Sequence, residues 1–302
     1  MDILDRLYKK IRSGSDQELL INGTKQMVVV DCKGKVTTEL SPFSDKSLMY
    51  KEIQTFALRE KVRLDPLKPA GGGILELPGY PAIRWHSILP PVAEGGPLLS
   101  LRKMSWGQHD FSDFQLSFYA YSELLKKVKN SCVFLSGPTG SGKSTFLSML
   151  MESQLVKDRV FVLESLSELP LLSPNWLRLV EQFANLEGKG EFGMKEMLRE
   201  SLRMRPDHFV LGEIRGQEAE ALYQLILGTH GGVWATIHTN GPDALIPRLA
   251  NLSLRSESNW LDLFRRCKPV YIQLQRKEPR ISGLYQYSGD GFSLLTFDQK
   301  PV

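Results

Sequence analysis

Residues 137 to 145 read GPTGSGKST and carry the most specific chemistry in the chain. The run fits the spacing G-x-x-x-x-G-K-[ST] in full. Gly137, Gly140 and Gly142 let the backbone curl so that successive N–H groups point inward at phosphate oxygens, with Pro138, Thr139 and Ser141 filling the arc. The helix that starts at the end of the loop adds the partial positive charge of its N-terminus. Lys143 is spaced to reach β- and γ-phosphates, and Ser144, followed by Thr145, to place a hydroxyl on Mg²⁺. An apolar strand, Val133-Phe134-Leu135, leads into the loop and an apolar-periodic helix follows it, a context that an ordinary glycine-rich turn lacks. The ligand implied is ATP with Mg²⁺.

Hydrolysis needs more than a phosphate cradle: an acid near the metal and a group that orients the attacking water. The segment RPDHFVLGEIRG supplies a candidate, because the apolar strand Phe209-Val210-Leu211 ends in Gly212-Glu213. A carboxylate at the C-terminal tip of a parallel strand faces the ligand crevice. Glu213 is therefore the candidate for activating water and supporting the metal, although a surface glutamate after a core strand fits the same pattern. A second strand, in RVFVLESLSE, ends in Glu164, which would support the metal shell or the water, or simply sit in solvent at a strand end. Two histidines lie in GTHGGVWATIHTN: His230 and His238. Each reads either as a satisfied polar residue or as a neutral imidazole that senses the γ-phosphate. Neither has the company of a zinc site. The row Met194, Met197, Leu198, Leu202 is most simply a core-facing helix stripe.

The elements that position these groups alternate. Strands are expected at 132–135, 159–163, 209–211 and 233–237. Helices are expected at 143–151, at 193–205 up to Pro206, and at 217–227 up to Gly228. That order predicts a parallel sheet covered on both faces, an α/β, RecA-like P-loop NTPase domain over residues 114–302. The first 104 residues have a different texture. A short amphipathic helix is expected over 1–12, a hairpin around Asn22-Gly23, a turn at Lys33-Gly34-Lys35 and a helix at 47–61. The Gly/Pro-dense stretch from Pro66 to Pro81, which holds Gly71-Gly72-Gly73, reads as turns between short strands, with strands at 82–89 and 98–103. This is a smaller α+β N-terminal domain, joined by a linker at 105–113.

Composition bounds the function. In 302 residues, 42% are hydrophobic and 24% charged, which suits one large globular domain or two moderate ones. The net charge of +4 is not the footprint of a dedicated nucleic-acid binder. Three cysteines, Cys32, Cys132 and Cys267, are far apart and odd in number, which points away from a disulfide framework and towards a reducing compartment. No run of about 18 apolar residues would span a membrane, and the first residues lack the core of a secretory signal. A cytoplasmic protein is expected, with peripheral attachment to a membrane machine left open.

Taken in order, these segments resemble the secretion ATPase superfamily of type II and type IV systems, in particular the branch of tight-adherence pili and type IV secretion rings. GPTGSGKST is similar to its Walker A loop, RVFVLESLSEL to its acidic box, LRMRPDHFVLGEIRG to its Walker B region and GTHGGVWATIHTN to its histidine box. INGTKQMVV and IRWHSILPPVAEGGPLLSLRKM resemble the family's N-terminal domain and its run into the core. The resemblance implies a homohexameric ring, with ATP held between the two domains, docked on inner-membrane platform proteins of a pilus or secretion machine. It gives Glu213 the Walker B role, Glu164 the acidic-box role, and His230 and His238 the histidine-box roles. Arg84 and Arg102 match arginines that approach the phosphates, and Arg215 a position at a subunit boundary. One departure stands out: where the acidic box usually carries Glu-Asp, this chain has Glu164-Ser165. A nucleotide-gated assembly protein that does not hydrolyse ATP and a DNA-translocating RecA-like motor are the rival readings.

Overall fold

The computed structural model describes residues 3–32, 34–76, 80–104, 110–182, 189–216, 218–229, 232–276, 280–289 and 291–296. The chain divides into two compact units, Met1–Gly107 and Gln108–Val302.

In the first unit, α1 (Ile3–Ser13) precedes β1 (Asp16–Asn22), β2 (Gln26–Asp31) and β3 (Val36–Leu40). These are followed by α2 (Lys46–Arg59), β4 (Ala70–Leu75), β5 (Ala82–Ile88) and β6 (Leu98–Met104). The strands form one antiparallel sheet in the order β3-β2-β1-β6-β5-β4. Alternation along each strand puts Leu19 and Ile21, Met27 and Val29, Ile83 and Trp85, and Leu99 and Leu101 on one face. There they meet the apolar stripes of the two helices, Leu4, Leu7 and Ile11 from α1 and Met49, Ile53 and Phe56 from α2. Asp45 starts α2 by accepting the Leu48 N–H at 2.8 Å. Gly71-Gly72-Gly73 is not a turn, as expected from its composition, but part of β4, paired with Ser87, His86 and Trp85. The reason is close backbone approach: a methyl group at Gly72 would lie 2.2 Å from the Trp85 carbonyl oxygen.

The second unit begins with a 3-10 turn at Phe111–Phe114, inside the stretch expected to be linker; residues 105–109 of that stretch lie outside the described residues. It continues through α3 (Phe118–Val128), β7 (Val133–Ser136), α4 (Lys143–Gln154), β8 (Val160–Glu164), β9 (Trp176–Val180), α5 (Met194–Ser201) and β10 (His208–Ile214). After these come α6 (Glu218–Thr229), β11 (Val233–Ile237), α7 (Leu245–Ser253), α8 (Glu257–Cys267), β12 (Val270–Leu274), β13 (Ile281–Ser288) and β14 (Gly291–Leu294). The sheet order is β14-β13-β12-β7-β11-β10-β8-β9. Its six strands from β12 to β9 are parallel, while β13 and β14 add an antiparallel edge that the strand–helix alternation did not foretell.

Both faces of this sheet are covered. Phe134, Phe161, Leu163, Phe209, Leu211 and Ala235 point to one face, where α5 to α8 bring Met197, Leu222, Leu249, Trp260 and Phe264. Val133, Leu135, Val160, Val162, Val210 and Trp234 point to the other, where α3 and α4 bring Leu124, Phe146 and Leu150. The parallel arrangement delivers the C-terminal ends of β7, β10 and β11 to one edge, where the phosphate loop and the carboxylate strand converge.

Two of the three cysteines, remote in the sequence, meet in space. Cys132, buried just before β7, has the Cys267 thiol at the end of α8 as its neighbour, which with burial raises the Cys132 thiol well above its usual value. All three cysteines are free thiols. Among the described residues no helix is long and apolar enough to cross a membrane.

Candidate active site

The phosphate loop joins β7 to α4. At Gly137 the backbone has φ 149°, and a methyl there would lie 2.5 Å from the Leu274 carbonyl oxygen, so only glycine fits. Gly142 caps α4 at φ 92° and has no side chain with which to satisfy the N–H groups of the first turn. Lys143 opens the helix with its side chain buried, and its ammonium donates to the carbonyls of Gly137 at 2.8 Å and Pro138 at 3.1 Å. A buried cation curled over its own loop, beside a helix N-terminus without a side-chain cap, is a cradle that suits a polyphosphate. Ser144 and Thr145 follow in the first turn of α4, and the buried Ser141 hydroxyl has no hydrogen-bond partner among the described residues.

Glu213 does not follow a strand that ends at Leu211; β10 runs on to Ile214. The ladder with β11 loses register between Leu211 and Ile214, so Gly212 and Glu213 stand in a bulge at the C-terminal end of the strand. Thr236 fixes this bulge by donating its hydroxyl to the Gly212 carbonyl at 2.5 Å. Glu213 Oε2 accepts from the Arg215 guanidinium. Glu213 Oε1 lies 3.0 Å from His238 Nε2, yet the approach is not aligned for a hydrogen bond, and this buried oxygen has no other partner among the described residues. The same His238 Nε2 lies 3.4 Å from Lys143 Nζ. Burial and the Lys143 ammonium push the imidazole below its ordinary value, against the pull of Glu213, so His238 is neutral at pH 7. A lysine, a neutral imidazole and a carboxylate oxygen lacking a hydrogen bond thus share one side of the phosphate loop.

Glu164 ends β8, on the strand next to β10. It is only 2% exposed, and its Oε1 accepts the N–H groups of Glu168 at 3.0 Å and Leu169 at 2.8 Å. Its Oε2 lies 3.2 Å from Arg178 Nε, and Arg178 also donates to the Leu169 carbonyl. Glycine at 212 makes room for it, since a methyl there would fall 2.9 Å from Glu164 Cγ. Burial pushes the Glu164 carboxyl up to about 7, against the lowering by the Leu169 N–H, Arg178 and the Glu168 N–H. Above the usual value of 4.5 the unfolded chain has lost this proton while the folded chain keeps it, so the stability it contributes is complete below that pH and is lost as pH climbs to about 7. The expected loss is about 3 kcal/mol. Urea unfolding free energies at pH 5 and pH 8 test this: wild type is expected to lose about 2.5 kcal/mol more than Glu164→Gln between them, and parallel profiles would contradict it.

The structure thus gathers Lys143, Glu213, Arg215 and His238 around the loop, with Glu164 one strand further out. His230 lies outside the described residues. Arg84 and Arg102 belong to the first unit, where they face each other across β5 and β6, and Arg102 Nε lies 3.3 Å from Glu18 Oε1. Sequence reasoning missed three supports. Ser136 Oγ, at the end of β7, accepts the Thr239 N–H at 2.9 Å, and the Thr239 hydroxyl lies 2.8 Å from both Ser136 Oγ and the Tyr271 hydroxyl, which pins the residue after His238. Arg178 holds Glu164. Arg276 donates to the Thr139 carbonyl at the loop apex, 2.7 Å away. A cavity of about 640 Å³ opens beside the loop, lined among others by Gly137, Pro138, His238, Arg248 and Gln275.

The profile of the family described as type II/IV secretion system protein matches residues 82–266. The chain belongs to that family. A putative conjugal transfer protein of Mycobacterium tuberculosis is 31% identical to this secretion ATPase over 243 residues, 78% of this chain and 68% of the relative. Protein VirB11 of Agrobacterium fabrum is 37% identical over 110 residues, 36% of this chain and 32% of its own length. Among solved structures, the pilus retraction motor PilT with bound ADP superimposes with a TM-score of 0.64 at 18% identity, covering 99% of this chain and 84% of that one. The ATPase DotB of Legionella pneumophila gives 0.61 at 18% identity, covering 90% and 75%. At such identities the two structures speak to the fold of the secretion ATPase: an N-terminal domain followed by a RecA-like one.

Proposed function

We propose that this secretion ATPase binds ATP with Mg²⁺ in the phosphate loop, hydrolyses it with Glu213, and works as one subunit of a homohexameric ring. The ring would drive pilus assembly or protein secretion from the cytoplasmic side, docked on inner-membrane platform proteins. The observation that carries the reading is the meeting of Lys143, His238 and a Glu213 oxygen that has no hydrogen bond among the described residues, at one edge of the glycine loop.

The residues divide the work. Loop N–H groups and Lys143 hold the phosphates, and Lys143 exchanges its bonds to the Gly137 and Pro138 carbonyls for phosphate oxygens. Glu213 Oε1 accepts the proton of the attacking water, while Arg215 holds Oε2 and so fixes which oxygen is available. Neutral His238, in contact with both Lys143 and Glu213, registers the presence of the γ-phosphate. Ser144 and Glu213 would hold Mg²⁺, which neutralises charge on the β- and γ-oxygens when bound. Glu164, a buried carboxyl against Gly212, supports the strand tip.

Phosphate release by the purified chain tests the reading. Turnover is expected with Mg²⁺ and is expected to vanish in EDTA, and native mass spectrometry is expected to show six copies with a non-hydrolysable analogue. Tight ATP binding without phosphate release would instead favour a nucleotide-gated assembly protein, the reading that Ser165 in the acidic box motivates. Stimulation of turnover by DNA would favour a translocase.

A further inference from the structure

We infer that Arg276, just after β12, and Arg280, just before β13, are phosphate-contacting residues of the nucleotide site. The inference rests on the nucleotide-site reading above and adds a second element to it, distant in sequence from every motif in the chain.

Sheet order places the two arginines. β12 runs parallel to β7 as its direct neighbour, so both strands deliver their C-terminal ends to the same edge. β7 there becomes the phosphate loop, and β12 runs on to Gln275 and Arg276. The Gln275 N–H donates to the Arg280 carbonyl at 2.8 Å, which closes the hairpin and holds the two arginines at its base. Arg276 Nε donates to the Thr139 carbonyl at 2.7 Å and would lie 4.0 Å from a methyl placed at Gly140. Arg280 Nη1 would lie 3.9 Å from a methyl placed at Gly142. The two guanidiniums therefore flank the loop at its apex and at its junction with α4.

Their charge is the second observation. Three other arginines of this unit are held by carboxylates: Arg178 by Glu164, Arg215 by Glu213 and Arg255 by Glu220. Neither Arg276 nor Arg280 makes an ion pair with a carboxylate among the described residues, and both are exposed. The one hydrogen bond of Arg276 uses Nε, so both of its Nη groups have no acceptor among the described residues. A planar guanidinium anchored through Nε to a phosphate-binding loop, with its remaining donors unspent, is built for a bidentate phosphate contact. Charge that builds on the leaving phosphate oxygens during transfer is stabilised by such a group.

Calorimetric titration of the full chain with ADP, and competition by inorganic tripolyphosphate, test this in wild type, in Arg276→Ala/Arg280→Ala and in Arg276→Lys/Arg280→Lys. The alanine pair is expected to raise the ADP dissociation constant about 10- to 100-fold and to weaken tripolyphosphate in the same proportion. It is also expected to flatten the dependence of affinity on salt, with the lysine pair recovering part of the loss. The melting temperature without nucleotide is expected to stay close to that of wild type in both. If the alanine pair misfolds, the lysine pair decides, because it keeps the charge but loses the fork: wild-type affinity there overturns the bidentate contact. ADP affinity within twofold of wild type in the alanine pair, while Lys143→Ala loses binding, overturns the inference and leaves the nucleotide site standing. A loss for ADP without a loss for tripolyphosphate also overturns it, because the arginines would then meet another part of the nucleotide. Wild-type affinity in Lys143→Ala removes the nucleotide site itself, and the inference with it.

Discussion

Replacing Lys143 with alanine is expected to abolish measurable nucleotide binding. The ammonium is buried and already bound to two loop carbonyls, so its direction is set before any phosphate arrives. Hydrogen bonds to charged groups contribute about 1.5–3 kcal/mol each, and losing two of them corresponds to a rise in the dissociation constant of about 10²- to 10⁴-fold. Two readouts separate this from damage to the fold. Without nucleotide, the variant is expected to melt near wild type, because the change removes a buried cation together with its hydrogen bonds, and the two effects oppose each other. With ADP at a hundred times the wild-type dissociation constant, wild type gains about 2.7 kcal/mol by mass action, and the variant is expected to gain almost nothing. An unchanged thermal shift by ADP in Lys143→Ala would remove the phosphate loop from the account.

That expectation was legible from the sequence because everything it needs sits in nine consecutive residues. The glycines, the lysine and the hydroxyls act through local backbone geometry, and the flanking strand is buried on both faces and so reads as an apolar run. The same logic made β8, β10 and β11 visible. It was not carried as far as β12, a strand just as buried, and it failed where the signal was mixed. β9 lies at the sheet edge and carries Arg178 among apolar residues, and β13 alternates polar and apolar positions in a segment crowded with charges. The helix expected to reach Arg205 gives way at Leu202–Met204 to a 3-10 turn, because Arg205 takes a left-handed φ of 56° ahead of Pro206. Gly228 does not stop α6, which runs to Thr229. One glycine costs a helix only about 1 kcal/mol, less than is regained by burying Leu222, Leu225 and Ile226.

The site divides along the same line. Lys143, Glu213 and His238 could each be proposed singly, from a motif or a strand end. Their mutual contact depends on the strand order β7-β11-β10, which no local pattern encodes. The clamp of Ser136, Thr239 and Tyr271 draws on the ends of β7 and β11 and on β12, and Arg178 reaches Glu164 from a strand that sequence reasoning did not find. Residues that act through backbone geometry are readable in one dimension; residues that act through side chains brought together by sheet topology are not.

The Glu213→Gln variant is expected to keep nucleotide binding and lose turnover, and it probes the proposed hydrolytic step. Glutamine preserves the volume in the β10 bulge and can still accept from Arg215 through its carbonyl oxygen, so the loop, the bulge and the Lys143 cradle are expected to stay in place. What it cannot do is take a proton. A positioned general base contributes about 10²- to 10⁴-fold to rate. Phosphate release is therefore expected to fall by at least about 10²-fold, with the ADP dissociation constant within about threefold of wild type. The pairing of the two numbers carries the argument. A parallel loss of affinity would mean that Glu213 serves binding through the metal more than it serves proton transfer. Retained turnover would remove it from the chemistry altogether, and the buried Oε1 beside His238 would then need another explanation.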